Sequence, residues 1–213
     1  MKQLHRSKLK EAGNIFLDGV IFRNPVVIGA LGLYPVVAAG YHIQNGIFLS
    51  VMMGMMMLPV CVISHFIGKN IPNWLRPGLM LVLSGLFYIP AKLAAVQMFS
   101  ENITIILYSA LMISNSIILS RSNDYAPTHS FIAVIADSLG CTLGFAWILC
   151  LFSIFRELLA TGSLWEKTFG SAAQLQYISQ APFCGLILLG FVCAFIQHLN
   201  RKRAIRSRKG ARV

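Results

Sequence analysis

Long apolar runs separated by short polar clusters make up most of the chain, and six windows are apolar over a span-like length: 22–42, 47–67, 78–99, 103–120, 131–155 and 182–199. A helix needs about 20 such residues to cross about 30 Å of hydrocarbon. The breaks between windows carry loop chemistry. Gly68 to Pro77 holds two prolines, two asparagines and Trp74, a residue favoured at membrane interfaces. Arg121 to Pro127 separates the fourth and fifth windows, and the longest polar connection runs from about Arg156 to Pro182. The predicted fold is an all-α membrane protein with a cytoplasmic basic segment at 1–21, a six-span domain at 22–199 and a cytoplasmic basic tail at 200–213.

Six spans divide into 1–3 and 4–6. An odd number of spans per half sends the second half in from the opposite side, so a repeat between the halves is an inverted one. Helix-breaking residues respect that division. The first span contains Gly29, Gly32, Tyr34 and Pro35, and Pro35 removes a backbone donor and clashes one turn back. The fourth contains Ser114, Asn115 and Ser116 in succession. Irregular backbone at membrane depth is tolerated where it is buried in protein or lines a cavity. Broken first and fourth helices in matching positions therefore predict a central site, against the alternative of close helix packing through small residues.

Composition agrees. Of the residues, 56% are apolar and 12% charged, with a mean hydropathy of +0.69, whereas a soluble domain carries about 25% charged residues. This excludes an ordinary soluble enzyme and a nucleic-acid-binding module. The net charge of +11 lies mostly at the ends: five basic residues up to Arg23 and seven from Arg201 onward. With Lys69, Arg76 and Arg121, fifteen of the 18 basic residues fall on one side, leaving Lys92, Arg156 and Lys167 for the other. The positive-inside rule then puts both termini in the cytoplasm, in the cell (inner) membrane. The N-terminus does not read as a cleavable signal, because Asp18, Arg23 and Asn24 interrupt the first apolar stretch.

The five cysteines lie in apolar runs without C-x-x-C spacing and read as packing residues. The methionines at 52, 53 and 55–57 read the same way, and His42, His65, His129 and His198 form no metal-ligand pair. Asp137, inside the fifth window, is a candidate for ion or proton coupling, or else a hydrogen-bonded structural carboxylate near Ser138 and Thr142. Arg156 and Glu157 end the fifth window. As neighbours in sequence they do not face each other on a helix, and they read as a tie to an adjoining subunit. No catalytic dyad or phosphate loop is present, so no autonomous active site is expected and no metal or catalytic residue is assigned.

From Asn24 onward the chain resembles the Rnf/Nqr family of six-span membrane subunits, most closely the E-type subunit of Rnf and D-type subunit of Nqr. The likeness rests on Leu31-Gly32-Leu33-Tyr34-Pro35 against the family's Leu-Gly-Leu-Cys-Pro and on Ala95-Val96-Gln97-Met98 closing the third span. It continues with Ser114-Asn115-Ser116 and Arg121 against a Thr-Asn-Cys stretch and its Arg, Asp137, Arg156-Glu157 and Thr161-Gly162-Ser163-Leu164. The resemblance implies a subunit of an ion-translocating electron-transport complex, beside a paralogous six-span subunit (A-type in Rnf, E-type in Nqr) and flavin-bearing subunits. In that family each six-span subunit gives two cysteines to a shared [2Fe–2S] cluster.

Here those two positions are Tyr34 and Ser116. A [2Fe–2S] cluster takes thiolates, or histidines in Rieske centres, and hydroxyls are poor replacements because a low-dielectric site opposes their ionisation. No cofactor is expected on this chain alone, and the leading expectation is a scaffold subunit. Relocated ligands at Cys141 or Cys193, or Ser116 as an oxygen ligand, are alternatives. From a different class, a small-solute or ion transporter using the inverted-repeat cavity without redox chemistry is the other reading.

Overall fold

The computed structural model describes residues 11–22, 24–29, 31–39, 42–98, 108–161, 163–164, 167–168, 185–194 and 197–198. The basic tail, the first residues of the fourth and sixth windows, Arg23 and Cys184 lie outside them. The described residues are mostly helical, and the strands among them are one antiparallel pair of two residues each, Ser163–Leu164 with Lys167–Thr168. Helix α1 (residues 11–17) passes into a π-helical turn, Asp18–Phe22. Then come α2 (Pro25–Gly29), α3 (Leu33–Ala39), α4 (Ile43–Ile67) and α5 (Arg76–Met98). A 3₁₀ turn, Leu111–Ser114, precedes α6 (Ser116–Ser120), and α7 (Phe131–Thr161) and α8 (Gly185–Ala194) follow.

Three helices, at Ile43–Asn70, Arg76–Met98 and Phe131–Leu158, are long and apolar enough to cross a membrane. They make the chain a multi-pass membrane protein, and they overlay the second, third and fifth expected windows. The first element begins earlier than residue 22, because α1 already runs from residue 11. Likewise α7 continues to Thr161, past the expected end at 155.

These helices are apolar nearly all round, so hydrophobicity does not choose their inward faces. Packing does, since lipid is as apolar as leucine, and small side chains mark where two helices approach most closely. On α4 the buried face includes Gly46, Leu49, Met52, Met53, Met56, Met57, Val60, Cys61 and Ser64. It packs on α7 so closely that a methyl group at Gly46 would stand 2.8 Å from Ser153 Oγ, and one at Gly54 3.1 Å from Thr142 Cγ2. The Thr142 hydroxyl, which donates to the Ser138 carbonyl at 2.8 Å, lies 3.6 Å from the Met57 sulfur. Four methionines of the run are thus core, while Met55 is exposed.

The other side of α7 carries Gly140 and Gly144 one turn apart, a small-xxx-small pair. Into it fits the N-terminal segment. Added Cβ atoms at these glycines would lie 2.7 Å from the Phe16 carbonyl oxygen and 2.5 Å from that of Gly19. Asn24, fully buried, locks the same contact. Its Nδ2 donates to the Gly144 carbonyl at 2.8 Å and the Val20 carbonyl at 3.2 Å, while its Oδ1 accepts from Val26 N–H at 2.9 Å. One side chain thereby ends the π turn, starts α2 and pins both to α7.

Arg156 and Glu157 are both buried and turn inward within the chain. Arg156 Nη1 donates to the Val37 carbonyl at 2.5 Å, one of the carbonyls that the end of α3 leaves without a helical partner. Glu157 Oε2 accepts from Ile43 N–H at 2.7 Å, an orphan donor at the start of α4. His42 makes no side-chain cap there. Each charge matches the helix terminus that it meets: a cation at a C-terminus and an anion at an N-terminus. Two consecutive residues of α7 therefore hold both sides of the α3–α4 corner.

A Gly144→Ala substitution should lower stability by about 1–3 kcal/mol, because backbone on both sides must give way. Gly85→Ala is the control, since a methyl group there meets Ile113 Cγ2 at an ordinary 3.7 Å. Thermal unfolding in mild detergent compares the two.

Candidate functional site at the helix breaks

The first break lies between α2 and α3. Leu31 N–H reaches back to the Pro25 carbonyl at 3.1 Å, and Gly32 then takes φ +66°, a left-handed conformation open to glycine at little cost. Pro35 stands in the first turn of α3, where a missing N–H costs nothing. Pro35 therefore fits the restart of the helix after the break, and the left-handed Gly32 makes the reversal.

The second break is at Asn115, which is extended (φ −61°, ψ 122°) between the 3₁₀ turn and α6. The fully buried Asn115 side chain caps α6, its Oδ1 accepting from Ile117 N–H at 2.9 Å. Its Nδ2 donates to the Met112 sulfur at 3.6 Å. Ser114 bonds back to the Leu111 carbonyl at 3.2 Å.

The two breaks meet. Gly32 N–H donates to Ser116 Oγ at 2.8 Å, and the Tyr34 hydroxyl donates to the Leu111 carbonyl. A side chain on Gly32 would meet Ile117 Cδ1 at 2.8 Å and Asn115 Oδ1 at 3.5 Å. Gly32, Tyr34, Ser114, Asn115 and Ser116, singled out from sequence, are therefore brought to one junction; Gly29 is one turn away at the end of α2. The partner of Tyr34 is the Leu111 carbonyl, in the 3₁₀ turn that precedes the second break. Two hydrogen bonds, both donated from the first break, thus join it to the second.

Asp137 lies elsewhere. It is six residues into α7, about 9 Å along the helix, buried, and 3.5 Å from Arg121 Nη1. The guanidinium also lies over the Tyr125 ring at 5.6 Å, and Tyr125 stacks on His129 at 3.8 Å. Cys141 donates weakly to Asp137 Oδ1 at 3.8 Å. A cavity of about 110 Å³ beside the pair is lined by Ile15, Asp18, Gly19, Arg121, Tyr125 and Asp137. Sequence reading placed Asp137 near Ser138 and Thr142 but missed Arg121 as its partner, sixteen residues earlier in the chain. It also passed over Asn24, whose only local signal is a polar residue opening an apolar run. Among the described residues no three His, Cys, Asp or Glu side chains gather as a metal site requires.

Residues 12–196 match the family described as Rnf-Nqr subunit, membrane protein. The chain belongs to the Rnf-Nqr family. Among curated relatives, the E-type subunit of a proton-translocating ferredoxin:NAD(+) oxidoreductase complex of Clostridium ljungdahlii is 26% identical, covering 91% of this chain and 92% of that protein. The D-type subunit of a Na(+)-translocating NADH-quinone reductase of Psychromonas ingrahamii is 27% identical, over 75% and 76%. The E-type subunit of a Na(+)-translocating ferredoxin:NAD(+) oxidoreductase complex of Acetobacterium woodii is 25% identical, over 86% and 95%. The Rnf-Nqr match begins at the start of α1, so it takes in the N-terminal segment that packs on α7 as well as both breaks.

Ser116→Ala strands the buried Gly32 N–H and should cost about 1–3 kcal/mol, seen as a lowered melting temperature in detergent. For the Arg121–Asp137 pair, the double variant Arg121→Gln, Asp137→Asn should lose less stability than the two single variants summed, since each single variant leaves its partner unpaired. Melting curves of the three variants measure the coupling.

Proposed function

We propose that this chain is the E-type (Rnf) or D-type (Nqr) membrane subunit of an ion-translocating electron-transport complex, acting as a scaffold without its half of the usual cluster ligands. Its six spans form two inverted three-helix halves, with both termini in the cytoplasm of the cell membrane. It stands against a paralogous six-span subunit, A-type in Rnf and E-type in Nqr, among the flavin-bearing subunits of the complex.

The observation that carries this reading is the junction of the two breaks. Inverted halves bring their broken helices together at the centre, and Ser116 lies about 7 Å further along α6 from Arg121, toward the interior. The residues at the family's cysteine positions do not fit a [2Fe–2S] cluster. Both are hydroxyls, and both are engaged within the chain: Tyr34 with Leu111, Ser116 with Gly32. Cys141 sits with Asp137, and Cys193 packs against the core. What remains at the junction is a rigid, self-satisfied plug that supports the partner's broken helices. The Arg121–Asp137 pair anchors the same half of the molecule near the membrane surface, and its carboxylate is the residue to test for a part in ion movement.

The test is purification of the tagged chain from membranes in mild detergent, with co-purifying subunits identified by mass spectrometry and iron counted per complex. Rnf- or Nqr-type subunits should co-purify, and Tyr34→Cys, Ser116→Cys expressed with a cysteine-bearing partner should add an iron–sulfur EPR signal that the parent complex lacks. A core cluster of full occupancy in the parent complex would overturn the scaffold reading. A lone homo-oligomer that moves solute in liposomes would overturn the complex itself in favour of a transporter.

A further inference from the structure

The two connections on the Arg76 side of the bundle enclose a cleft of about 680 Å³, the size of a small-molecule site. It is lined by Lys69 and Asn73 from the α4–α5 connection, Arg76 from the start of α5, and Asn123, Asp124 and Thr128 from the α6–α7 connection. Arg76 joins the two connections, Nη1 donating to the Asn123 carbonyl at 3.2 Å and Nη2 to the Ile71 carbonyl at 3.3 Å. Its Nε–H is buried without an acceptor among the described residues, and so is Asn123 Oδ1 without a donor. The cleft thus brings the cationic side chains of Lys69 and Arg76 beside the Asp124 carboxylate.

We infer that this cleft binds the headgroup of a zwitterionic membrane phospholipid with a primary ammonium, a phosphoethanolamine lipid. Lys69 and Arg76 meet the phosphodiester, and the exposed Asp124 carboxylate meets the ammonium. Its place in the fold favours a lipid over a soluble phosphate. The cleft opens at the ends of membrane-length helices, next to Trp74, which is 80% exposed and of the type found at the headgroup level. Below it α5 presents Val82, Leu86, Ile89 and Leu93, all exposed, as an apolar track for acyl chains. A headgroup of net negative charge fits less well, because Asp124 repels it.

The experiment uses the full chain in the subunit company in which it is extracted, reconstituted into vesicles containing a phosphatidylethanolamine with a photoreactive group near its ammonium. Labelled peptides are mapped by mass spectrometry. Labelling should fall in 69–77 and 121–128, be competed by unlabelled phosphatidylethanolamine, and drop about fivefold in Lys69→Gln and in Asp124→Asn. Both positions are exposed, so the variants are expected to fold, and unchanged melting curves establish it. Equal competition by phosphatidylglycerol, equal competition by soluble glycerophosphoethanolamine, or labelling of these peptides undiminished in both variants would each overturn the assignment.

Discussion

Backbone polar groups buried away from water must find partners in the protein, and in a membrane no solvent relieves the debt. This chain breaks two helices within its apolar windows, and much of its architecture answers the donors and acceptors thereby released. Two hydrogen bonds join the breaks: Gly32 N–H with Ser116, the Leu111 carbonyl with Tyr34. Asn115 then restarts α6 through its own side chain. The partners come from segments more than 75 residues apart in sequence. The junction therefore joins two distant segments of the chain.

Charged side chains follow the same logic. Isolated charges are costly in a low-dielectric interior, and they persist where paired or hydrogen-bonded. Arg156 and Glu157, neighbours on α7, reach opposite helix termini across the α3–α4 corner. Arg121 meets Asp137 close to the start of α7. The cations and carboxylates that stand out as chemistry in the sequence are, in the fold, occupied in holding helix ends and neighbouring connections.

The long helices were legible because their signal is local: about 20 apolar residues bounded by Gly, Pro, Asn and Arg. The bounds of α4 and α5 lie within four residues of the windows 47–67 and 78–99. The ends of α1 and α7 were not legible in the same way. Residues 11–17 carry Glu11, Gly13 and Asn14 and read as a polar segment, yet Gly140 and Gly144 leave room for them against α7. The extra turn of α7 carries Arg156 and Glu157, which look like a helix end until their buried partners are seen. Of the site, the residue set Gly32, Tyr34, Ser114, Asn115 and Ser116 was readable from broken-helix chemistry. Which atom bonds which was not.

By itself, then, the sequence determined that this is a membrane protein of long apolar helices, where three of those helices run, where the two breaks fall, and which family it resembles. All of these depend on residue type and spacing along one segment. The tertiary structure alone decided which face of each apolar helix turns inward and that Asn24 pins the N-terminal segment to Gly144. It also decided that Arg156 and Glu157 close a corner of their own chain, and that Ser116 serves Gly32 while Tyr34 serves Leu111. In a helix that is apolar on every side the hydrophobic pattern has no direction, so the inward face is chosen by the fit of its side chains against a distant partner. That fit is a property of two surfaces at once and is written in neither segment alone.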